Sequence, residues 1–335
     1  MSRGAGFLPI YTDKDSKVSL ITSKCVAVLG YGAQGRAHAL NLRDSGVHVL
    51  VGLYAGSPSI ALAKEEGFEV CSVAECVQAS DVLAFMLPDE SHARVYTQEI
   101  APFLKPGQTL LFAHGFSVYF KHIQPPEGVG VILVAPKGPG YALRENYQQG
   151  SGLFALIAIH QDNVQHNAKE LALSYACAIG SGRLGILETS FKHEACSDLF
   201  GEQVVLCGGL VSLLQKAFEV LVEAGYPAEL AYFECVHEIK LIADLLYSKG
   251  LARMQEHISN TAEYGGLVSG ERVVDAQSKA RMHAILAEIE NGDFARAFMQ
   301  ESAEHYPTMR AHRKALQDQL LEAVGAHLRA HLFKA

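Results

Sequence analysis

The sequence predicts a doubly wound α/β domain followed by an all-α domain, and three observations carry that prediction. Apolar, strand-like runs alternate with helical stretches through the first half of the chain. A glycine turn, "GYGAQG", separates the first of these runs from the helix behind it. From about Phe191 the texture changes to long helical patterns with no convincing strand.

The first-half strands are "CVAVLG", "VHVLVGL", "DVLAFML", "TLLFAHG" and "VGVILVAPKG". Continuous apolar runs of this length, alternating with helices, indicate a parallel sheet covered on both faces. "GLFALIAIHQ" and "RLGILETS" read as two further strands extending it. The boundary falls near Ser190, giving domains 1–190 and 191–335. In the second domain the helical pattern breaks at Pro227 and at Gly265–Leu267.

The glycine turn adds chemistry to the fold. Gly30, Gly32 and Gly35 match G-x-G-x-x-G, flanked by strand and helix where that motif requires them. The first glycine allows a tight turn, the second admits a pyrophosphate, and the third lets helix and strand pack closely. The helix N-terminus then offers N–H groups to the phosphates. The first domain is therefore Rossmann-like and binds a dinucleotide. The next strand ends at Leu53 with no acid to hold a ribose diol. Ser57, followed by Pro58, resembles a helix cap. Ser57 and Ser59 either cap that helix or present hydroxyls to a 2′-phosphate. NADP(H) is the expected cofactor.

Composition narrows the partners. The 335 residues are 49% hydrophobic and 19% charged, a globular balance. A formal net charge of -8 leaves no electrostatic footprint for nucleic acid. No apolar run approaches the ~20 residues that span a bilayer, so no membrane partner is expected. The start "MSRGAGFLPIYTDKDSK" lacks an apolar signal core. Seven cysteines, odd in number and without a CxxC pair, suit reduced thiols of the cytoplasm and read as small buried hydrophobes.

Two pairs of acids resist this bland picture. Asp198 and Glu202 in "SDLFGEQ", and Glu234 and Glu238 in "FECVHE", each stand four residues apart beside apolar sequence. Like charges at that spacing on a helix repel, and apolar surroundings add to the cost. Such a pair is a solvated face or a cation site. Lys137 and His114 lie at strand ends, where open α/β sheets bind ligands; a loop lysine and a core histidine are the plainer readings.

Taken in order, "FAHGF", "VAPKGPG", "SDLFGEQ", "FECVHEIKLIADL" and "ISNTAEYG" closely resemble ketol-acid reductoisomerase (acetohydroxyacid isomeroreductase) in its short, class I form. The resemblance covers nearly the whole chain, thinning after about Gly292. It implies an acetohydroxy-acid substrate, alkyl migration at two Mg²⁺ ions, and reduction by NADPH at one site, as in valine and isoleucine synthesis. Asp198, Glu202, Glu234 and Glu238 match the metal ligands, with Asp198 bridging both ions. Glu238 also meets substrate, and Ser259 matches the residue holding its carboxylate. Lys137 matches the lysine beside the metal site, and His114 the histidine near the nicotinamide. The cofactor contacts implied are Tyr31, Ala33 and Gln34 beside the three loop glycines, Tyr54, Ser57 and Ser59 beyond the second strand, then Leu87, Pro88, Asp89 and His92, and finally His114 and Gly140. A homodimer with shared active sites, or a larger homo-oligomer, is implied as well. Hard oxygen ligands suit Mg²⁺, which polarises a carbonyl and stabilises an alkoxide.

The chain departs from the family pattern around these residues. Ala33 replaces Ser, Arg36 His, His92 Gln, Tyr141 His and Asn260 Asp. Tyr54 stands where Arg usually contacts the adenosine end; it can stack on adenine but cannot neutralise a 2′-phosphate. Arg36 is the nearest cation to compensate, from a position closer to the pyrophosphate. A paralogue acting on another acetohydroxy acid, a metal-independent β-hydroxyacid-type dehydrogenase and a silent nucleotide-binding scaffold are the competing readings.

Overall fold

The structure, a computed structural model, describes residues 7–332. The first six residues of the amino-terminal stretch read above, and the last three of the chain, lie outside them. The chain divides after Ala195 into two compact units.

The first unit is built on a nine-stranded sheet: β1 (Ile10–Tyr11), β2 (Cys25–Leu29), β3 (His48–Gly52), β4 (Glu69–Cys71), β5 (Val82–Phe85), β6 (Thr109–Phe112), β7 (Gly130–Pro136), β8 (Ala155–Gln161) and β9 (Ile186–Glu188). Their order is β1-β9-β8-β7-β6-β5-β2-β3-β4. β5, β6 and β7 are buried along their whole length, because helices cover both faces. The sheet is mixed: β8 runs antiparallel to β7, and β1 antiparallel to β9. Here the expectation of an all-parallel sheet is corrected. Apolar runs report burial, not strand direction, and nothing in "GLFALIAIHQ" marks its reversal.

β1 and β4 were not among the expected strands, since each is two or three residues long and lies on the rim of the sheet. β1 is held by side chains as much as by its ladder. Lys169 Nζ donates to Glu188 Oε2 (2.6 Å) and to Tyr11 Oη (3.1 Å).

Behind the sheet, His38 is fully buried with Nδ1 3.0 Å from the Tyr175 hydroxyl, and its Nε2 has no hydrogen-bond partner among the described residues. Burial lowers its pKa from 6.5 to about 3. The unfolded chain therefore takes up a proton below about pH 6.5 that the folded chain refuses until about pH 3. Stability should be complete near pH 7 and fall by about 2 kcal/mol on acidification to about pH 5. Thermal unfolding of wild type and His38→Gln across that interval checks this; equal losses in both would assign the acid sensitivity elsewhere.

The second unit is helical throughout its described residues. Pro227 does break the pattern, preceding the helix Ala228–Tyr232. The expected break at Gly265–Leu267 is not there: helix Asn260–Val273 runs straight through it. Glycine in a helix costs about 1 kcal/mol without forbidding it. The interruption falls instead at Gly250, whose φ of +76° sits inside Ile239–Gln255. Nor does the expectation about apolar runs hold. Phe191–Glu223 is a 33-residue helical stretch with a mean hydropathy of 1.7 over its most apolar window, long and apolar enough to span a bilayer by length and composition. Only 6% of that window is buried.

Candidate active site

β2 lies between β3 and β5, so the chain leaves it toward opposite edges of the sheet. In an open α/β sheet the crevice at such a switch point, beyond the carboxyl ends of the strands, is where ligands bind. Here β2 is followed by Gly30, whose φ of +98° and close approach to the Met86 carbonyl admit no side chain. Gly32 leads into helix Ala33–Asp44 and faces open space. The first-turn N–H groups of that helix have no carbonyl of their own helix to bond. Gly35 and Gly140 work from behind: a side chain on either would collide with backbone, at the Gly30 carbonyl and the Ala33 carbonyl respectively.

A cleft of about 860 Å³ opens at this turn. Gly30, Tyr31, Gly32, Ala33 and Gln34 line its middle. One end is formed by Leu53, Tyr54, Ser57 and Ser59, the other by Leu87, Pro88, Asp89, His92 and His114. The expected cofactor residues are thus brought together, except that Gly35 and Gly140 support the loop without lining the cleft. The cap expected at Ser57 is corrected: the helix begins one residue later, at Ser59, with Pro58 at its N-cap and no side-chain cap hydrogen bond, while Ser57 Oγ accepts from Ser59 N (3.3 Å) in the turn before it and Ser57 lines the cleft. Arg36 does not meet its reading. Its guanidinium is paired with the Glu66 carboxylate, which also accepts from Tyr31 Oη at 2.7 Å, so it is committed to bracing the loop.

At the far end the polar groups converge. His92 Nε2 donates to the Leu87 carbonyl (2.9 Å), so its Nδ1, 2.8 Å from Ser117 Oγ, accepts in the neutral ring. Burial keeps His92 neutral by lowering its pKa. Asp89 Oδ2 lies 3.7 Å from His114 Nδ1. Burial alone would raise the Asp89 pKa, but the facing His114, with His92 and His122 behind it, brings it below its ordinary value. On the other side of His114 stands Glu194, only 1% exposed and absent from the sequence reading. It accepts from Lys137 Nζ (2.8 Å) and Gly115 N (2.7 Å), and one of its oxygens is 3.9 Å from His114 Nε2. Gly115 must be glycine for this, since a Cβ there would press on the Phe191 carbonyl at 2.6 Å. The sequence did carry a signal for Glu194: it precedes Asp198 by the same four residues that separate Asp198 from Glu202.

The acid pairs sit on distorted helix. Asp198 lies in helix Phe191–Gly201, and Glu202 opens a π-helical turn, Glu202–Leu206. Glu234 lies in a second such turn, Phe233–His237, and Glu238 follows it. The pairs were expected on regular α-helix; π turns instead widen the backbone and recur at functional sites. Glu202, Glu234 and Glu238 join no cluster of three or more potential ligands among the described residues. Ser259 caps helix Asn260–Val273, its Oγ accepting from Ala262 N at 3.1 Å.

A glycine turn at a switch point, with a cleft running from it to His114, which stands beside a buried carboxylate, defines a dinucleotide-dependent oxidoreductase. Residues 20–185 match the family model described as acetohydroxy acid isomeroreductase, NADPH-binding domain, and residues 191–333 that of ketol-acid reductoisomerase, C-terminal domain. The chain belongs to the ketol-acid reductoisomerase family. It is 56% identical over 323 residues to the ketol-acid reductoisomerase (NADP(+)) of Helicobacter pylori strain J99, covering 96% of this chain and 98% of that one. The enzyme of the same name from Helicobacter acinonychis is 56% identical over 322 residues, covering 96% and 97%. Among solved structures, an NADH-preferring ketol-acid reductoisomerase from an uncultured archean superposes with a TM-score of 0.94 at 45% identity, covering 98% of this chain and 100% of that one.

Proposed function

We propose that this chain converts 2-acetolactate or 2-aceto-2-hydroxybutyrate to the 2,3-dihydroxy acid, using NADPH and two Mg²⁺ ions, in the cytoplasmic synthesis of valine and isoleucine. The observation that carries the proposal is the buried Glu194 carboxylate, held by Lys137 and Gly115 beside His114 at the end of the dinucleotide cleft. A reductase that only delivers hydride has no need of an added acid ladder running on from that point. The domains are taken as 1–190 for cofactor and 191–335 for metal, substrate and association.

Asp198, Glu202, Glu234 and Glu238 offer carboxylate oxygens alone, a donor set that fits a hard divalent cation and not zinc or copper. A divalent ion such as Mg²⁺ held by these carboxylates would supply Lewis-acid polarisation of the substrate's oxygens. The other roles belong to the protein. Ser259 holds the substrate carboxylate at a helix N-terminus, where N–H groups favour an anion. Lys137, with its charge balanced by Glu194, holds a proton at Nζ; His114 faces the nicotinamide. Tyr31, Ala33, Gln34, Tyr54, Ser57, Ser59, Leu87, Pro88, Asp89 and His92 contact the cofactor.

A second copy of the chain completes the metal site in this reading. Asp198 groups with His114 and Glu194, whereas Glu202, Glu234 and Glu238 join no cluster of three or more potential ligands among the described residues, and apolar side chains of the second unit such as Leu206, Tyr247, Leu251 and Leu267 are more than 60% exposed. Contiguous exposed apolar surface marks association. Within Phe191–Glu223 itself, Val205, Leu206 and Val220 are exposed, which suits burial against a second copy.

The test is NADPH oxidation with 2-acetolactate, with and without Mg²⁺. Turnover that needs the ion is expected, and EDTA should abolish it. Equal turnover in EDTA would favour a metal-independent β-hydroxyacid-type dehydrogenase.

A further inference from the structure

A cation at the adenosine end of the cleft would favour a 2′-phosphate, and neither Tyr54 nor Arg36 supplies one. Tyr54 is uncharged, and Arg36 is held by Glu66. The cleft has a second wall, however. Helix Asp89–Val95 contributes Ser91, Arg94 and Val95 to its lining. The helix starts at Asp89 near His114, and Arg94 lies about 7.5 Å further along its axis. Val95 packs in the same core cluster as Val73, which lines the cleft too. Val73 follows β4, whose Cys71 carbonyl accepts from Leu53 N (3.0 Å), one residue before Tyr54. Arg94 is therefore on the Tyr54 side of the cleft, away from His114.

Its charge is not committed. Among the described residues that line the cleft, Arg94 is the only lysine or arginine. It is exposed and forms no ion pair among the described residues; Glu99, on the same wall, is not paired with it. We propose that Arg94 is the residue that reads the 2′-phosphate of NADPH, reaching the adenosine from helix Asp89–Val95 at the Tyr54 end of the cleft. The assignment rests on the reading of this cleft as the dinucleotide site. A guanidinium suits the role, because its fork of donors matches phosphate oxygens in pairs. It also moves the cofactor determinant from the loop after β3 to a helix that the glycine motif does not include.

Fluorescence titration of the purified protein with NADPH and with NADH tests this. Arg94→Gln should raise the Kd for NADPH about tenfold, or about 1.4 kcal/mol, and leave that for NADH within about twofold. Arg94→Glu should weaken NADPH further. The salt dependence of NADPH binding should flatten in both variants, since the screened charge is gone. Equal weakening of both cofactors would overturn the assignment, placing Arg94 on adenine or ribose common to the two. No change for either would overturn it as well. Failure of the wild type to bind either nucleotide would instead bring down the dinucleotide reading, and Arg94 with it. Because the side chain is exposed, neither substitution threatens folding.

Discussion

Asp198→Asn is expected to lower kcat/KM for 2-acetolactate by about a thousandfold or more, an effect of about 4 kcal/mol on the transition state. The substitution keeps the shape of the side chain and removes only its charge. Asp198 sits one helical turn beyond Glu194 and one before Glu202, in the middle of an acid ladder that no core requires. As the carboxylate shared by two ions, it would be needed for both. Migration needs both ions, whereas reduction of a rearranged 2-keto acid needs mainly one. Glu234→Gln should then harm migration more than the reduction of 3-hydroxy-3-methyl-2-oxobutyrate, while Asp198→Asn impairs both. Mixing inactive Asp198→Ala and Glu238→Gln subunits should restore part of the activity if the ligands come from two chains. Ordinary Mg²⁺-dependent turnover by Asp198→Asn would remove the bridging role.

Glu194→Ala should cost about a hundredfold in kcat while leaving the Kd for NADPH nearly unchanged. The buried carboxylate is the acceptor for Lys137 Nζ and Gly115 N, so its loss takes this acceptor from the lysine and this partner from a backbone donor. Lys137 is one-third exposed and can turn to water, which limits the stability cost to about 1–2 kcal/mol. Single-turnover reduction measured beside cofactor binding separates the effects. A parallel loss of NADPH affinity would mean that Glu194 shapes the cleft rather than the chemistry.

Much of this was legible in the sequence. The buried strands wrote themselves as apolar runs, and the glycine turn marked the cleft before any coordinate did. What escaped did so for physical reasons. β1 and β4 are too short to show a period, and β8 hides its direction because burial is the same either way. Arg36 looked like a candidate for phosphate until Glu66, thirty positions later in the chain, proved to hold it. Glu194 was overlooked because a single acid beside a lysine and histidine is ordinary on a helix, and only the fold places Lys137 and Gly115 against it. Arg94 lies outside any motif; the helix that carries it had to be folded against Val73 before its wall became visible.

The pairing of Ile10 with Leu187 has a consequence for how the protein is made. The rim strand emerges from the ribosome first, yet its partner comes about 175 residues later. At about 5–20 residues per second, that is roughly nine to thirty-five seconds of waiting. During that interval β2 to β8 can assemble in order around the glycine turn, while the segment carrying Tyr11 stays unpaired. Only when Glu188 arrives can Lys169 and Tyr11 fasten on it. The earliest part of the sheet to be synthesised is thus among the last to be secured, and a nascent chain stalled before β9 would carry an open edge on β8, the kind of edge that invites pairing with a neighbouring chain.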